Sequence, residues 1–394
     1  MINFKPELKS ELIKSGVWTA ILTILYLGVS WGKNSTFEIF SGLGYFILLY
    51  FLFFTIGKDR VSKGFNSLVQ NNIYRAVIFP SLLIVIYFSY IILNGHNPFQ
   101  GTVFMIPYLI YFPTLIFLGK QNTSQKIDWL DFTTFALFLL PTTLVEFTPN
   151  TQLPFGGSGF DSVYRLVIIL AVVYAFVVVR GLKGVGFYPV FKLKYLAISI
   201  GIWLAFYAFV FIIGYSVDFI RFVGYDKEIL ALLGSVGLRV LAVFLHTAIF
   251  EELFFRGLLQ NMLAKRILQE NSWESFWKWG GAILLILSII TGYFMDGNMQ
   301  WFPALITLLL FLTAFGIERM GISDKGTYTA LAIASVIFGL VHYHSGSIVF
   351  VSLASIGGWA YGYTYIKTKN VFYAALVHAL VNSSHLIFGL ELIK

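Results

Sequence analysis

The sequence predicts an all-α polytopic membrane protein with about 13 transmembrane helices, and three observations predict it. First, 58% of the 394 residues are hydrophobic and only 12% charged, with a mean hydropathy of +0.80; ordinary soluble domains carry about 25% charged residues. Second, the apolar residues fall in runs near the roughly 20 residues that a spanning helix needs. Third, the basic residues gather in the short connections between alternate runs, as cytoplasmic loops do. The net charge of +8 is therefore read as membrane orientation. Nucleic acid is not an expected partner, because the cations form no single arm or face.

Taken in order, the runs are 17–32, 37–57, 76–94, 101–119, 129–149, 161–179, 195–217, 229–262, 279–293, 301–318, 327–343, 347–366 and 371–391. The ninth and eleventh are short, which suits a re-entrant or tilted segment as well as a span. The N-terminal stretch MINFKPELKSELIKSG mixes Lys and Glu ahead of a run without an A-x-A-like cleavage site, so it reads as an uncleaved first span. With the N-terminus inside, the inner connections hold 20 of the 27 basic residues and the outer ones four: Lys33, Arg221, Lys227 and Lys394. Arg165, Arg239 and Arg256 fall within spans. The short loops point to a bacterial plasma membrane with a cytoplasmic N-terminus.

The stretch GLKGVGFYPVFKLK, Gly181 to Lys194, combines glycines, a proline and lysines and marks the best boundary. It separates an N-terminal region of about six spans, 1–185, from a C-terminal domain, 186–394. Five of the six histidines lie beyond it and only His96 before it, so chemistry is expected in the C-terminal half. With no cysteine, disulfides and thiolate chemistry are excluded.

Within the eighth run, IFEELFFRGLLQ places Glu251, Glu252 and Arg256 among apolar residues. A charge near the middle of a spanning helix costs about 2.5–3.5 kcal/mol on insertion scales, so such groups mark functional sites or buried ion pairs. Glu252 and Arg256, four apart, share a helix face, while Glu251 points about 100° away. Two more runs carry polar groups at the same spacing: Phe338 and His342 in SVIFGLVHYH, and His378 and Asn382 in ALVHALVNSSH. At about 1.5 Å per residue, Glu251, His342 and His378 lie at overlapping depths of about 10–22 Å from the inner helix ends.

The order E-E-x-x-x-R, F-x-x-x-H, H-x-x-x-N, followed by GGWAYGYTYIKTKNVFYAALVHALVN, resembles the CPBP family, which includes the CAAX prenyl endopeptidases and their bacterial Abi relatives. The resemblance covers roughly Leu230 to Leu390 and departs from the family in two ways. Two extra apolar segments, Trp279 to Phe294 and Trp301 to Ile317, lie between the first two motifs, and the six leading spans have no family counterpart. It implies a CAAX-protease-like helical core and a glutamate-dependent intramembrane endopeptidase acting on a membrane-associated protein or peptide. Glu251 with His342 would activate water, Arg256 would hold Glu252, and His378 and Asn382 would donate to the oxyanion. Glu251 is favoured as base because Glu252 has the better spacing for Arg256.

Three rivals stand beside this reading. A metal-dependent version would draw on Glu, two His and Asn, but HTAIFEE is not H-E-x-x-H and its His246 and Glu251 are five apart, a poor chelating face, so no cofactor is expected. FGGSGF, Phe155 to Phe160, contains a G-x-S-G tetrapeptide around Ser158 and reads as a glycine-rich turn. A transporter or scaffold with a CPBP-like fold would also keep polar groups at mid-depth. Against it stand the absence of an internal repeat and the confinement of the polar clusters to one half.

Overall fold

The computed structural model describes residues 6–31, 36–70, 72–93, 106–120, 126–144, 163–225, 229–295 and 299–393. The FGGSGF stretch with Ser158, together with His96, lies outside the described residues. Among those described, the chain forms 14 helices and one two-stranded ribbon, divided between two compact units: residues 1–125 with 129–190, and 126–128 with 191–394.

The first unit holds α1 (Pro6–Ser30), α2 (Thr36–Thr55), α3 (Asp59–Val69), α4 (Ile73–Leu93), α5 (Ile106–Lys120), α6 (Trp129–Leu144) and α7 (Val163–Val179). Helix α7 is apolar all round and correspondingly buried from Leu166 to Val173, as expected of a helix enclosed by others. Asp131 of α6 is buried and receives Lys120 Nζ at 2.8 Å and Arg180 Nε at 2.6 Å, so the charges at the ends of three helices are tied together. Helix α3 breaks from α2 at an angle of 95°.

The second unit comprises α8 (Leu193–Ser216), α9 (residues 229–270), α10 (Trp273–Phe294), α11 (Phe302–Arg319), α12 (Thr327–Leu340), α13 (Ile348–Thr368) and α14 (Val371–Ile387). Strand β1 (Ile220–Phe222) pairs antiparallel with β2 (Leu390–Leu392), Arg221 opposite Glu391, and ties the loop after α8 to the end of α14. Helices α12 and α13 pack at very close range through small residues, the means by which helices associate where water supplies no driving force. A Cβ on Gly339 of α12 would fall 1.9 Å from Ser355 Oγ, and one on Gly362 of α13 would fall 2.3 Å from a Leu331 methyl and 2.5 Å from Gln260 Oε1.

Glu318, buried at the end of α11, organises the start of α12. Its carboxylate accepts from the Tyr328 and Thr329 backbone N–H groups at 2.5 and 3.0 Å, from the Thr329 hydroxyl at 2.6 Å, and from the Trp273 indole N–H. The residue at the N-cap position is Gly326, which has no side chain to offer, so a carboxylate from the preceding helix takes that role at the positive end of the dipole. Glu318→Ala is expected to lower the unfolding free energy by about 1–3 kcal/mol, the cost of stranding buried donors. Equal thermal unfolding of variant and parent in detergent would refute this.

Each of the 13 predicted runs is helical over most of its described residues; the last also takes in the start of β2. By length and composition, seven helices among the described residues are suited to cross a membrane, or eight if the bent pair α2–α3 is one span, fewer than the expected 13. Four others, including α7 and α14, are apolar but short. Helix α13 is long enough at 21 residues, but it carries serines, glycines and two threonines on its packed face and is less apolar. The ninth and eleventh runs extend into helices of 22 and 19 residues, Trp273–Phe294 and Thr327–Ser345, longer than their apolar stretches alone suggest. Several apolar helices of this kind make the chain an integral membrane protein.

Candidate active site

Helix α9 does not keep a regular α-helical path through its polar motif. It widens into π-helix over Phe244–Ala248, returns to α-helix for Ile249–Glu252, and widens again over Leu253–Gln260. Such widenings occur mostly as short insertions and are frequent at functional sites, because each extra residue per turn re-aims the side chains around it.

Glu252 and Arg256 are fully buried, and Arg256 Nε donates to Glu252 Oε2 at 2.9 Å, the pairing their spacing predicts. The other carboxylate oxygen, Oε1, lies 3.0 Å from His378 Nδ1. An ionised carboxylate only accepts, so His378 carries its proton on Nδ1 and turns Nε2 toward Glu251, whose Oε2 is 3.9 Å away. Glu252 is thus held between a cation and an imidazole from α14, 126 residues away in the chain.

Arg256 makes that single hydrogen bond; Nη1 and Nη2 are buried without one. Its guanidinium lies over the rings of Phe338, Phe255 and Tyr361, with centroids 5.0, 5.8 and 5.9 Å from Cζ. Aromatic faces attract a desolvated cation and offset part of the missing hydrogen bonding. Tyr361 also stacks on His378, centroids 4.5 Å apart and planes 7° from parallel, while the Phe338 ring meets His378 edge-on at 5.7 Å. His378 is therefore fixed by a hydrogen bond at one nitrogen and by rings packed around it.

In front of this buried layer is a cavity of about 370 Å³ whose walls include Glu251, His342, His378 and Asn382. That size is within the range of small-ligand sites. The Glu251 side chain is 25% exposed, Asn382 is exposed and His342 half-buried, while His378 is buried and Glu252 and Arg256 behind it are sealed. His342 stands in a 3₁₀ turn, Val341–Ser345, that ends α12. Its Nδ1 lies 2.7 Å from the Phe338 carbonyl. A carbonyl only accepts, so Nδ1 carries the proton and Nε2 is left with a lone pair.

The six residues singled out in the sequence are thus split by depth. Glu251, His342, His378 and Asn382 share one cavity, and Glu252 with Arg256 supports them from beneath. Sequence reasoning misses Tyr361, which lies between Gly358 and Gly362. Those two glycines signal a close helix approach there but do not tell which way the ring points. Arg239, Thr247 and His385 also line the cavity; in the sequence His385 reads as an interfacial or packing group that follows His378 by two turns. Among the described residues, no three His, Asp or Glu side chains are grouped so as to hold a metal ion.

A family model described as type II CAAX prenyl endopeptidase Rce1-like matches residues 234–320 and 316–384. Over these residues the C-terminal unit is similar to that family. The match contains all six of the residues above, runs through α10 and α11, and includes no residue of the first unit. Comparison with curated proteins and with solved structures gave no match. At family level the similarity supports a CAAX-type protease.

Proposed function

We propose that the domain 186–394 hydrolyses a peptide bond of a membrane-associated protein or peptide by carboxylate-activated water, with no covalent intermediate. Glu251 takes one proton from a water positioned in the cavity, whose other O–H donates to the lone pair of His342 Nε2. Carbon–oxygen bond formation moves the carbonyl electrons onto oxygen, where the Asn382 amide N–H donates, joined by Nε2–H of His378 when that ring is doubly protonated. Collapse of the tetrahedral species expels the amine, which takes up the proton held by Glu251. Arg256 and Glu252 do not touch substrate; they position His378.

The observation that carries the reading is the shared cavity, with one accessible carboxylate, three imidazoles and an amide on its walls and a sealed ion pair behind. Arg256 beneath the cavity and Arg239 on its wall are two permanent positive charges beside the carboxylates of Glu251 and Glu252. The loop charges favour a cytoplasmic N-terminus, and the short connections suit a bacterial plasma membrane. The region 1–185 has no assigned part in the chemistry.

Asn382→Ala tests the oxyanion assignment without touching the buried pair. It is expected to reduce kcat on a cleaved membrane peptide by about 10²–10³-fold, with KM changing much less. Unchanged kcat would reject the role of this amide.

A further inference from the structure

Successive helices of the second unit reverse direction, so the starts of α8, α10, α12 and α14 lie with the ends of α9, α11 and α13. The Lys192 backbone N–H at the start of α8 donates to the Tyr373 hydroxyl of α14 at 2.8 Å, and the Trp273 indole of α10 donates to Glu318 of α11. A Cβ on Gly326, just before α12, would fall 2.5 Å from Ile267 of α9, and Tyr328 of α12 meets Tyr363 of α13. This end carries nine cations: Lys192, Lys194, Lys265, Arg266, Lys278, Arg319, Lys325, Lys367 and Lys369. In the sequence the connections between the other ends hold three, Arg221, Lys227 and Lys394. Short connections rich in Lys and Arg stay on the cytoplasmic side, so the end with nine is the cytoplasmic one.

The cavity with Glu251 lies toward the opposite end. Val210 near the end of α8, Ile220 of β1, Arg239 in the first half of α9, His342 in the turn after α12, Phe350 in the first turn of α13 and His385 at the end of α14 are all on its walls. Glu251 and His378 stand near the middles of their helices. On their cytoplasmic side Glu252, Arg256 and Gln260 are buried, whereas Arg239, Asn382 and the turn residues Tyr343, His344 and Ser345 are exposed. The hollow is closed toward the nine cations and open away from them. Resting on the proteolytic reading above, we propose that the site takes its substrate from the non-cytoplasmic side, as a peptide segment exposed at that face of the membrane. A cytoplasmic tail could reach Glu251 only by parting the sealed Glu252–Arg256 layer, so such tails are not substrates.

The chain has no cysteine, so one introduced thiol is the only one it carries. Arg239→Cys and Thr247→Cys each place it on the cavity wall, and Lys369→Cys places it, exposed, at the cationic end. In intact cells treated with a membrane-impermeant maleimide, both wall variants are expected to label and Lys369→Cys is not; in inverted membrane vesicles Lys369→Cys labels and the wall variants do not. Labelling of all three in detergent shows that each thiol reacts in the folded chain. Wall thiols that label only in inverted vesicles, or in neither preparation, overturn the proposal. A quenched-fluorescent peptide library added outside intact cells should be hydrolysed by the parent, with that hydrolysis lost in Glu251→Gln. Hydrolysis that depends on Glu251 but occurs only in inverted vesicles would sink the outward opening and leave the protease standing. Outward labelling with no hydrolysis in either preparation would uphold the opening and count against the protease.

Discussion

Glu251→Gln is expected to lower the rate of peptide cleavage by about 10²–10⁴-fold, the range that a positioned general base contributes. The substitution keeps the shape of the side chain and removes only its capacity to take a proton. Because Glu251 is the accessible carboxylate and Glu252 is engaged by Arg256 and His378, the neighbouring glutamate cannot stand in without breaking two hydrogen bonds. Folding should be unaffected, since the Glu251 side chain makes no hydrogen bond at its buried Oε2. Cleavage assayed in reconstituted vesicles, beside thermal unfolding of the same preparation, checks both halves. A Glu251→Gln variant that cleaves within about tenfold of the parent rate would remove Glu251 from the mechanism.

Arg256→Leu is expected to act on stability first. The guanidinium is fully buried, and its removal leaves Glu252 as a sealed carboxylate with only His378 for company. Breaking a buried pair by deleting one partner costs about 3–5 kcal/mol, whereas replacing both by neutral groups is often tolerated. Glu252→Gln combined with Arg256→Leu should therefore be more stable than Arg256→Leu alone, with a coupling of about 0.5–3 kcal/mol in a double-mutant cycle read by unfolding in detergent. The double variant should remain poorly active, because a neutral amide does not fix the proton on His378 Nδ1 as the carboxylate does. Additive effects on stability would mean that the pair is not a unit.

How much of this is legible in the sequence depends on the length scale of the signal. Apolar runs are long signals, and all of them form helices, because a stretch with no polar side chains has nowhere to satisfy its backbone except within itself. Helix α3 reads as a charged connection, since a hydropathy run does not register a helix whose apolar residues alternate with lysine, asparagine and serine. The Glu252–Arg256 pair is legible because both partners sit on one helix at a fixed spacing. The Glu252–His378 bond is not, because nothing local specifies which of two adjacent carboxylates an imidazole 126 residues away will reach. The sequence accordingly places His378 beside Asn382 facing substrate, whereas it also forms the link between the cavity and the buried pair. The convergence of Glu251, His342, His378 and Asn382 is allowed by counting residues from the helix ends. The ring of Phe255, Phe338 and Tyr361 around Arg256 is beyond such counting, because it depends on rotation of three helices about their own axes.

The π-helical stretches of α9 bear on how this segment tolerates changes in length. A π turn is an α turn carrying a surplus residue, so the chain on either side keeps its own phase and a single helical wheel drawn through 229–270 misplaces one half of it. Loss of one residue inside Leu253–Gln260 can be absorbed by tightening to ordinary α-helix, leaving residues 261–270 facing as before. What disappears is the local bulge on which Arg256 stands. The helix thus holds slack that protects its anchorage and concentrates it at the one place where the chemistry is sited.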